Sequence, residues 1–158
     1  IGSCFDVYFP LAQKDDFQDK KQDEEIALLK GKGHILFVDD DAQICDSHKK
    51  SLELIGYTVT AIQDSRAAEQ VFSNNPDQFD VLILDLNMPQ LSGFELAERI
   101  FKIRSNIPAI LTTGFAELID HKKIEELGFH ALLLKPYRIE DISSLIAEIL
   151  KSEKGNRN

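Results

Sequence analysis

The chain has 158 residues, 43% of them apolar, and a formal net charge of −9 with a pI near 4.9; that is room for one domain and some extra chain, with enough apolar material for an ordinary core. The acidic balance argues against a nucleic-acid-binding surface, which needs a basic patch, and no apolar run approaches the ~20 residues of a membrane span. Cys4 and Cys45 form neither a disulfide framework nor a metal spacing, which points to a reducing, cytoplasmic setting.

In chain order, residues 1–10 ("IGSCFDVYFP") read as a short strand of aromatic and β-branched residues closed by Pro10. No charged leader precedes it, and the start at Ile rather than Met reads as an excised piece. Residues 11–33 are polar and charge-rich and read as a linker, with a helical piece around Asp23–Lys30. A regular region then runs over 34–152. Its apolar runs are His34–Val38, Tyr57–Ile62, Val81–Leu84, Ala109–Thr112 and Ala131–Leu134. Helical periods lie between them at Ala42–Ile55, Ser65–Asn74, Gly93–Arg104, Ala116–Leu127 and Ile139–Lys151. Gly56 in "ELIGY" and Gly128 in "EELGF" sit where a left-handed residue closes a helix. Five strand–helix units imply an α/β fold, a parallel sheet with helices on both faces. Residues 153–158 read as a disordered tail.

In such a fold, ligands bind outside the carboxyl ends of the strands. The first run ends in Asp39 and Asp40, and the third in Asp85. If those strands are neighbours, three carboxylates converge and call for a cation. All-oxygen donors at a partly open site suit Mg²⁺. The plain alternative is that these aspartates cap helices and shape turns, the role expected of Asp41. The fourth run ends in Thr112 and Thr113, and the fifth in Lys135. A hydroxyl and an ammonium beside acids make sense around a phosphoryl group, with an aspartate as nucleophile. Alone, Lys135 could be a salt-bridge partner and Thr113 a structural residue.

The stretches "ILFVDDD", "DVLILDLNMPQLSG", "ILTTGFAE" and "LLLKPY" together resemble a response-regulator receiver domain from about His34 to Lys151. The resemblance implies the flavodoxin-like (βα)5 fold with strand order 2-1-3-4-5. It implies a two-component phosphorelay function, with Asp85 as phosphoacceptor taking its phosphoryl group from phosphohistidine. It makes Asp39 and Asp40 the acidic pair that holds Mg²⁺, with Asp85 and the backbone carbonyl of Asn87 completing the site. Thr113 is then the switch hydroxyl and Lys135 the lysine that pairs with the phosphoryl group, and a cis peptide bond precedes Pro136. The implied partner is a histidine kinase or a histidine phosphotransfer domain, with a homodimer possible and no nucleic-acid or membrane contact by the domain itself. One departure stands out. Receiver domains often carry an aromatic three residues before the lysine, and here that residue is Leu132.

The segment "GSCFDVYFPLA" is similar to the closing strand of the ATP-binding domain of sensor histidine kinases. Followed by a charged linker and a receiver, it suggests the C-terminal receiver of a hybrid kinase. Whether the chain is itself an enzyme stays open: it lacks a kinase catalytic domain, and a receiver promotes its own phosphorylation and dephosphorylation. His34, His48, His121 and His130 show no metal spacing, and His48 reads as lying on a solvated helix face. Two other functions compete. A Mg²⁺-dependent phosphatase with an Asp nucleophile usually has a second Asp two residues on, where this chain has Asn87. A protein-interaction module without phosphorylation has no need of the full Asp39, Asp40, Asp85, Thr113 and Lys135 set.

Overall fold

The computed structural model describes residues 31–115 and 121–155. The chain forms β1 (His34–Val38), α1 (Ala42–Leu54), β2 (Thr58–Ile62), α2 (Ser65–Asn74), a 3-10 turn at Pro76–Gln78, β3 (Val81–Asp85), α3 (Gly93–Ile103), β4 (Ala109–Thr113), α4 (His121–Leu127), β5 (Ala131–Leu134) and α5 (Ile139–Gly155). All strand pairings are parallel, and the sheet order is β2-β1-β3-β4-β5. This is the flavodoxin-like doubly wound arrangement that the alternation of apolar runs and helical periods implies. Among the described residues no helix is long and apolar enough to cross a membrane.

Strand alternation divides the core in two. Ile35, Phe37, Val81, Ile83 and Ile110 face one side and pack with Cys45 and Leu52 of α1 and Ile142 and Ile146 of α5. Leu36, Val38, Leu82, Leu84 and Leu111 face the other side, against Phe72 of α2, Leu96 and Ile100 of α3 and Ile124 of α4. β3 is buried along its whole length, as a central strand covered on both faces must be. The edge strand β5 is half-buried and ends in Leu134, which is exposed.

Several boundaries differ from the sequence reading. Asp85 and Thr113 belong to their strands, because Asp85 continues the ladder opposite Thr112, and Thr113 opposite Leu134. Tyr57 lies outside β2, because its N–H closes α1 by bonding to the Leu52 carbonyl at 3.2 Å. The last helix runs to Gly155 rather than Lys151, and the hydroxyl of Ser152 bonds back to the Ile149 carbonyl at 2.7 Å. Residues 153–155 are therefore helical, not the start of a tail. The end of the charged linker is pinned down: Gly31 N–H donates to the Ile55 carbonyl at 2.8 Å, and Thr58 N–H to the Gly33 carbonyl at 2.9 Å. The strand expected at 1–10, the linker up to residue 30, the first turn expected of the Ala116–Leu127 helix and the tail beyond 155 lie outside the described residues.

Both expected glycine stops are present. Gly56 has φ +101° and Gly128 has φ +82°. In each, the glycine N–H and the next N–H turn back on the last helical carbonyls: Gly56 on Glu53 and Tyr57 on Leu52, Gly128 on Glu125 and Phe129 on Ile124. The surroundings differ. A Cβ at Gly56 would lie 2.7 Å from the Gly31 carbonyl oxygen, whereas one at Gly128 meets nothing within 4 Å. Gly128→Ala should therefore cost only the left-handed penalty of about 1–2 kcal/mol. Gly56→Ala adds a clash with backbone and should cost measurably more in urea unfolding; equal losses would contradict this packing.

Candidate functional site

The register of three strands builds the site. Val38 lies beside Leu84 at the end of the β1–β3 ladder, so the next residues, Asp39 and Asp85, stand side by side just past it. Both share the strand face of Ile35, Phe37, Val81 and Ile83. On β5, Leu133 packs on that same side, and Lys135 follows it by two residues. The Lys135 ammonium lies 2.5 Å from Asp39 Oδ2 and 2.6 Å from Asp85 Oδ1. The other oxygen of each acid accepts a backbone N–H, Asp39 Oδ1 from Asp41 at 3.1 Å and Asp85 Oδ2 from Asn87 at 2.8 Å. Each carboxylate is thus divided the same way, one oxygen on the lysine and one on a turn.

The loop after Asp85 is held from three directions. The N–H of Gly93 bonds to the Leu86 carbonyl at 3.0 Å, and a Cβ there would lie 2.5 Å from the Asp85 carbonyl oxygen. Only glycine lets α3 start this close to the acid's backbone. Buried Ser65, at the start of α2, donates to the Pro89 carbonyl at 3.0 Å and accepts from Leu91 N–H at 3.1 Å. Ser92 and Glu95 form a reciprocal capping box on α3.

Thr112 and Thr113 are both fully buried. Alternation sends Thr112 to the side of the acids and Thr113 to the side of Leu111 and α4. Thr113 Oγ1 accepts the Phe115 backbone N–H at 3.2 Å and the Asn87 side-chain amide at 3.4 Å. Asp41 caps α1 through the N–H groups of Gln43 and Ile44, as expected. The peptide bond between Lys135 and Pro136 is cis. Asp40 is exposed beside this cluster. Among the described residues, no three Asp, Glu, His or Cys side chains are gathered as a metal ion would gather them. The donor set is nonetheless all oxygen and suits a hard cation. In this arrangement the Lys135 ammonium supplies the positive charge between the acids.

Two features escaped the sequence reading. His48 is half-buried rather than on a solvated face. Its ring stacks on Phe37 at 5.1 Å, meets Tyr137 edge-on at 5.3 Å, and sets Nδ1 2.9 Å from the Ile44 carbonyl. The signal was present in Ile44, His48 and Leu52, an i, i+4 stripe facing the sheet. With Ile44, Lys135, Pro136 and Tyr137, His48 lines a cavity of about 370 Å³ beside the acids. The second feature is the Asn87 side chain, which tethers Thr113 in addition to the turn its backbone makes.

Charge explains the protonation of the cluster. Burial by itself would lower the Lys135 pKa, but hydrogen bonds to Asp39 and Asp85 outweigh it and hold the ammonium above its ordinary value. Burial pushes Asp39 up; the Lys135 bond opposes this without cancelling it, and the Asp85 charge adds to the rise. The two directions agree physically, since the lysine faces two anions while Asp39 faces one cation and one anion. A group whose folded pKa is raised favours its protonated form in the fold, so ionised Asp39 costs stability at neutral pH. Asp39→Asn should therefore raise the melting temperature at pH 7. The gap to the parent should close as pH falls through the folded pKa of Asp39, where the parent also becomes neutral. Thermal melts across pH that show a gap widening in acid would refute this account.

Comparison with known proteins agrees with this geometry. Residues 35–147 match the family model described as the response regulator receiver domain. The chain is 32% identical over 123 residues to a probable transcriptional regulator ycf27 of Guillardia theta, covering 78% of this chain and 47% of that protein. It is 30% identical to the response regulator MprA of Mycobacterium ulcerans, covering 76% of this chain and 51% of that protein. The chain thus spans about half the length of these curated relatives. Among solved structures, a receiver domain protein from Clostridium thermocellum aligns with a TM-score of 0.73 at 30% identity, over 77% of this chain and 96% of that one. A CheY-like receiver domain protein from Methanospirillum hungatei also aligns with a TM-score of 0.73 at 30% identity, over 80% of this chain and 99% of that one. Acids from two neighbouring strands, a lysine from the sheet edge and a match spanning all five strands place this chain in the response-regulator receiver domain family of two-component signalling.

Proposed function

We propose that this receiver domain takes a phosphoryl group from a phosphohistidine onto Asp85, and that Asp39, Asp40, Asp85 and the Asn87 backbone carbonyl hold the Mg²⁺ that the reaction uses. The observation that carries the reading is Lys135 held between Asp39 and Asp85 at 2.5 and 2.6 Å. A single ammonium between two buried acids is a poor permanent structural device, because burying all three groups is costly. It is a good resting arrangement for a site that awaits a more strongly charged guest.

Asp85 attacks phosphorus in line through Oδ1, the oxygen that Lys135 holds at rest, as the P–N bond to the donor histidine breaks and its imidazole leaves, while Oδ2 stays oriented by the Asn87 N–H. Bound Mg²⁺ would neutralise charge on the phosphoryl oxygens. Lys135 turns from Asp85 onto one of those oxygens as a point charge, and Thr113 donates its hydroxyl to another. The donor is a histidine kinase or a histidine phosphotransfer protein, and the setting is cytoplasmic. The Asn87 side chain offers no general acid two residues after Asp85, which disfavours a small-molecule phosphatase. The paired acids and lysine likewise disfavour a purely passive interaction module.

A second, more specific reading makes this a receiver of a hybrid histidine kinase. Its support is the resemblance of "GSCFDVYFPLA" to the closing strand of a kinase ATP-binding domain. In that case the phosphodonor histidine belongs to the same polypeptide.

Incubation with acetyl phosphate and Mg²⁺ should add one phosphoryl mass to the intact chain. Asp85→Asn or EDTA should abolish it. Lys135→Ala should slow its appearance by on the order of 100-fold, the usual cost of losing one aligned charge at a reacting centre. A mass increase that persists in Asp85→Asn would move the acceptor elsewhere.

A further inference from the structure

The loop that follows Asp85 contains a strained turn. The Leu91 N–H bonds to the Pro89 carbonyl, two residues back, at 2.8 Å, and Gln90 between them has φ +69°. A three-residue turn with that backbone is rare and unfavourable for a residue with a side chain, and it persists only where its surroundings hold it. The start of α2 does so. Ser65 is 1% exposed; its hydroxyl donates to the Pro89 carbonyl at 3.0 Å and accepts the Leu91 N–H at 3.1 Å, so one oxygen bonds both ends of the turn. Asp64 holds the middle, where its Oδ2 accepts from the Gln90 side-chain amide at 2.7 Å. The Ser65 contacts do nothing for α2 itself, which is capped by Asp64 Oδ1 on the Ala67 N–H at 2.8 Å.

We infer that Ser65, with Asp64 beside it, is a positioning residue for phosphoryl transfer: it holds the Pro89–Leu91 turn in its strained form, and through the turn it aims the Asn87 backbone at Asp85. The inference rests on the phosphoacceptor reading above. The two ends of the loop are fixed to the sheet and to α3, by Leu86 N–H on the Thr112 carbonyl at 2.8 Å and Gly93 N–H on the Leu86 carbonyl at 3.0 Å. Between those ends, buried Met88 and Leu91 add apolar contact, which has no direction. The directed bonds from outside the loop to the Pro89–Leu91 turn come from Ser65 and Asp64. Without them Gln90 is free to relax to negative φ, and the Pro89 carbonyl turns with it. Asn87 stands two residues upstream, and its N–H orients Asp85 Oδ2 at 2.8 Å. In the proposed site its carbonyl also faces the cation. Both are backbone groups, so only the conformation of the loop aims them, and small misplacements at a reacting centre are costly in rate. A helix that contributes no group to the site thereby sets how well the site is formed.

Ser65→Ala removes both hydroxyl bonds and leaves the Asp64 cap in place. In the metal-free variant the Leu91 N–H should exchange roughly five-fold faster, the scale of one lost hydrogen bond, with exchange along β3 unchanged. Titrated with Mg²⁺ alone, the variant should bind about five-fold more weakly, and its rate of adduct formation with acetyl phosphate should fall by a similar factor. Adding Gln90→Gly to Ser65→Ala should recover most of each loss, because glycine holds positive φ without a clamp. Gln90→Glu, at an exposed position that does not threaten folding, sets a carboxylate against Asp64 and should shift all three measurements in the direction of Ser65→Ala. Unchanged Mg²⁺ affinity together with an unchanged rate in Ser65→Ala would overturn the inference. So would losses that Gln90→Gly does not restore, or exchange that speeds up equally along β3, since either would mean lost stability rather than lost positioning. No adduct in the parent chain would instead overturn the phosphoacceptor reading itself.

Discussion

Two carboxylates and one ammonium, largely out of water, set the terms for everything else in this domain. Asp39 and Asp85 are 1% and 5% exposed, and they share the Lys135 ammonium. Two adjacent buried acids repel, and one lysine leaves the group with a net negative charge. The arrangement persists because each acid also takes a backbone N–H and because the strands beneath cannot move apart. A site in this state has a standing attraction for cations, and the phosphoryl reading is one way to use it.

The two sides of the site are held to different degrees. On the β3–α3 side, Gly93 brings the helix within reach of the Asp85 backbone, and Ser65 clamps the loop from α2. Those contacts lie near 3.0 Å. On the β4 side the Thr113 hydroxyl has only the bonds at 3.2 and 3.4 Å, and the chain beyond it carries an exposed ring. Under the proposed phosphoacceptor role, firm contacts on the Asp85 side preserve its geometry and the weaker ties of Thr113 leave it able to change partners. The contrast is a property of local packing, not of the sheet, whose strands are paired along both edges of the site.

Much of the architecture was legible from residues alone. Short apolar runs separated by helical periods specify parallel strands, because only strands covered on both faces are apolar throughout. Gly56 and Gly128 read as left-handed stops since few other residues adopt that backbone at no cost. Asp41 read as a cap from its place before α1. The His48 environment was missed because its charged neighbours, Lys49 and Lys50, point the other way around the helix, and the stripe Ile44–His48–Leu52 is visible only once α1 is known to lie on the sheet. The end of α5 was missed because a polar ending such as "KSEK" suits a solvated helix as well as a tail.

What the sequence by itself determined is that acids, hydroxyls and a lysine stand at the ends of successive strands. That follows from chain order and from the period-two and 3.6-residue patterns, which are local. Which of those groups meet was decided by the tertiary structure. Asp39 and Asp40 are adjacent and alike in sequence, yet Asp39 is buried against Lys135 while Asp40 faces solvent. Thr112 and Thr113 are equally alike, yet they serve opposite faces. The reason is that side chains alternate along a strand, so identity at the site depends on strand phase, on the order β2-β1-β3-β4-β5 and on register across three ladders. Those are contacts between residues up to 96 positions apart, and no local pattern carries them.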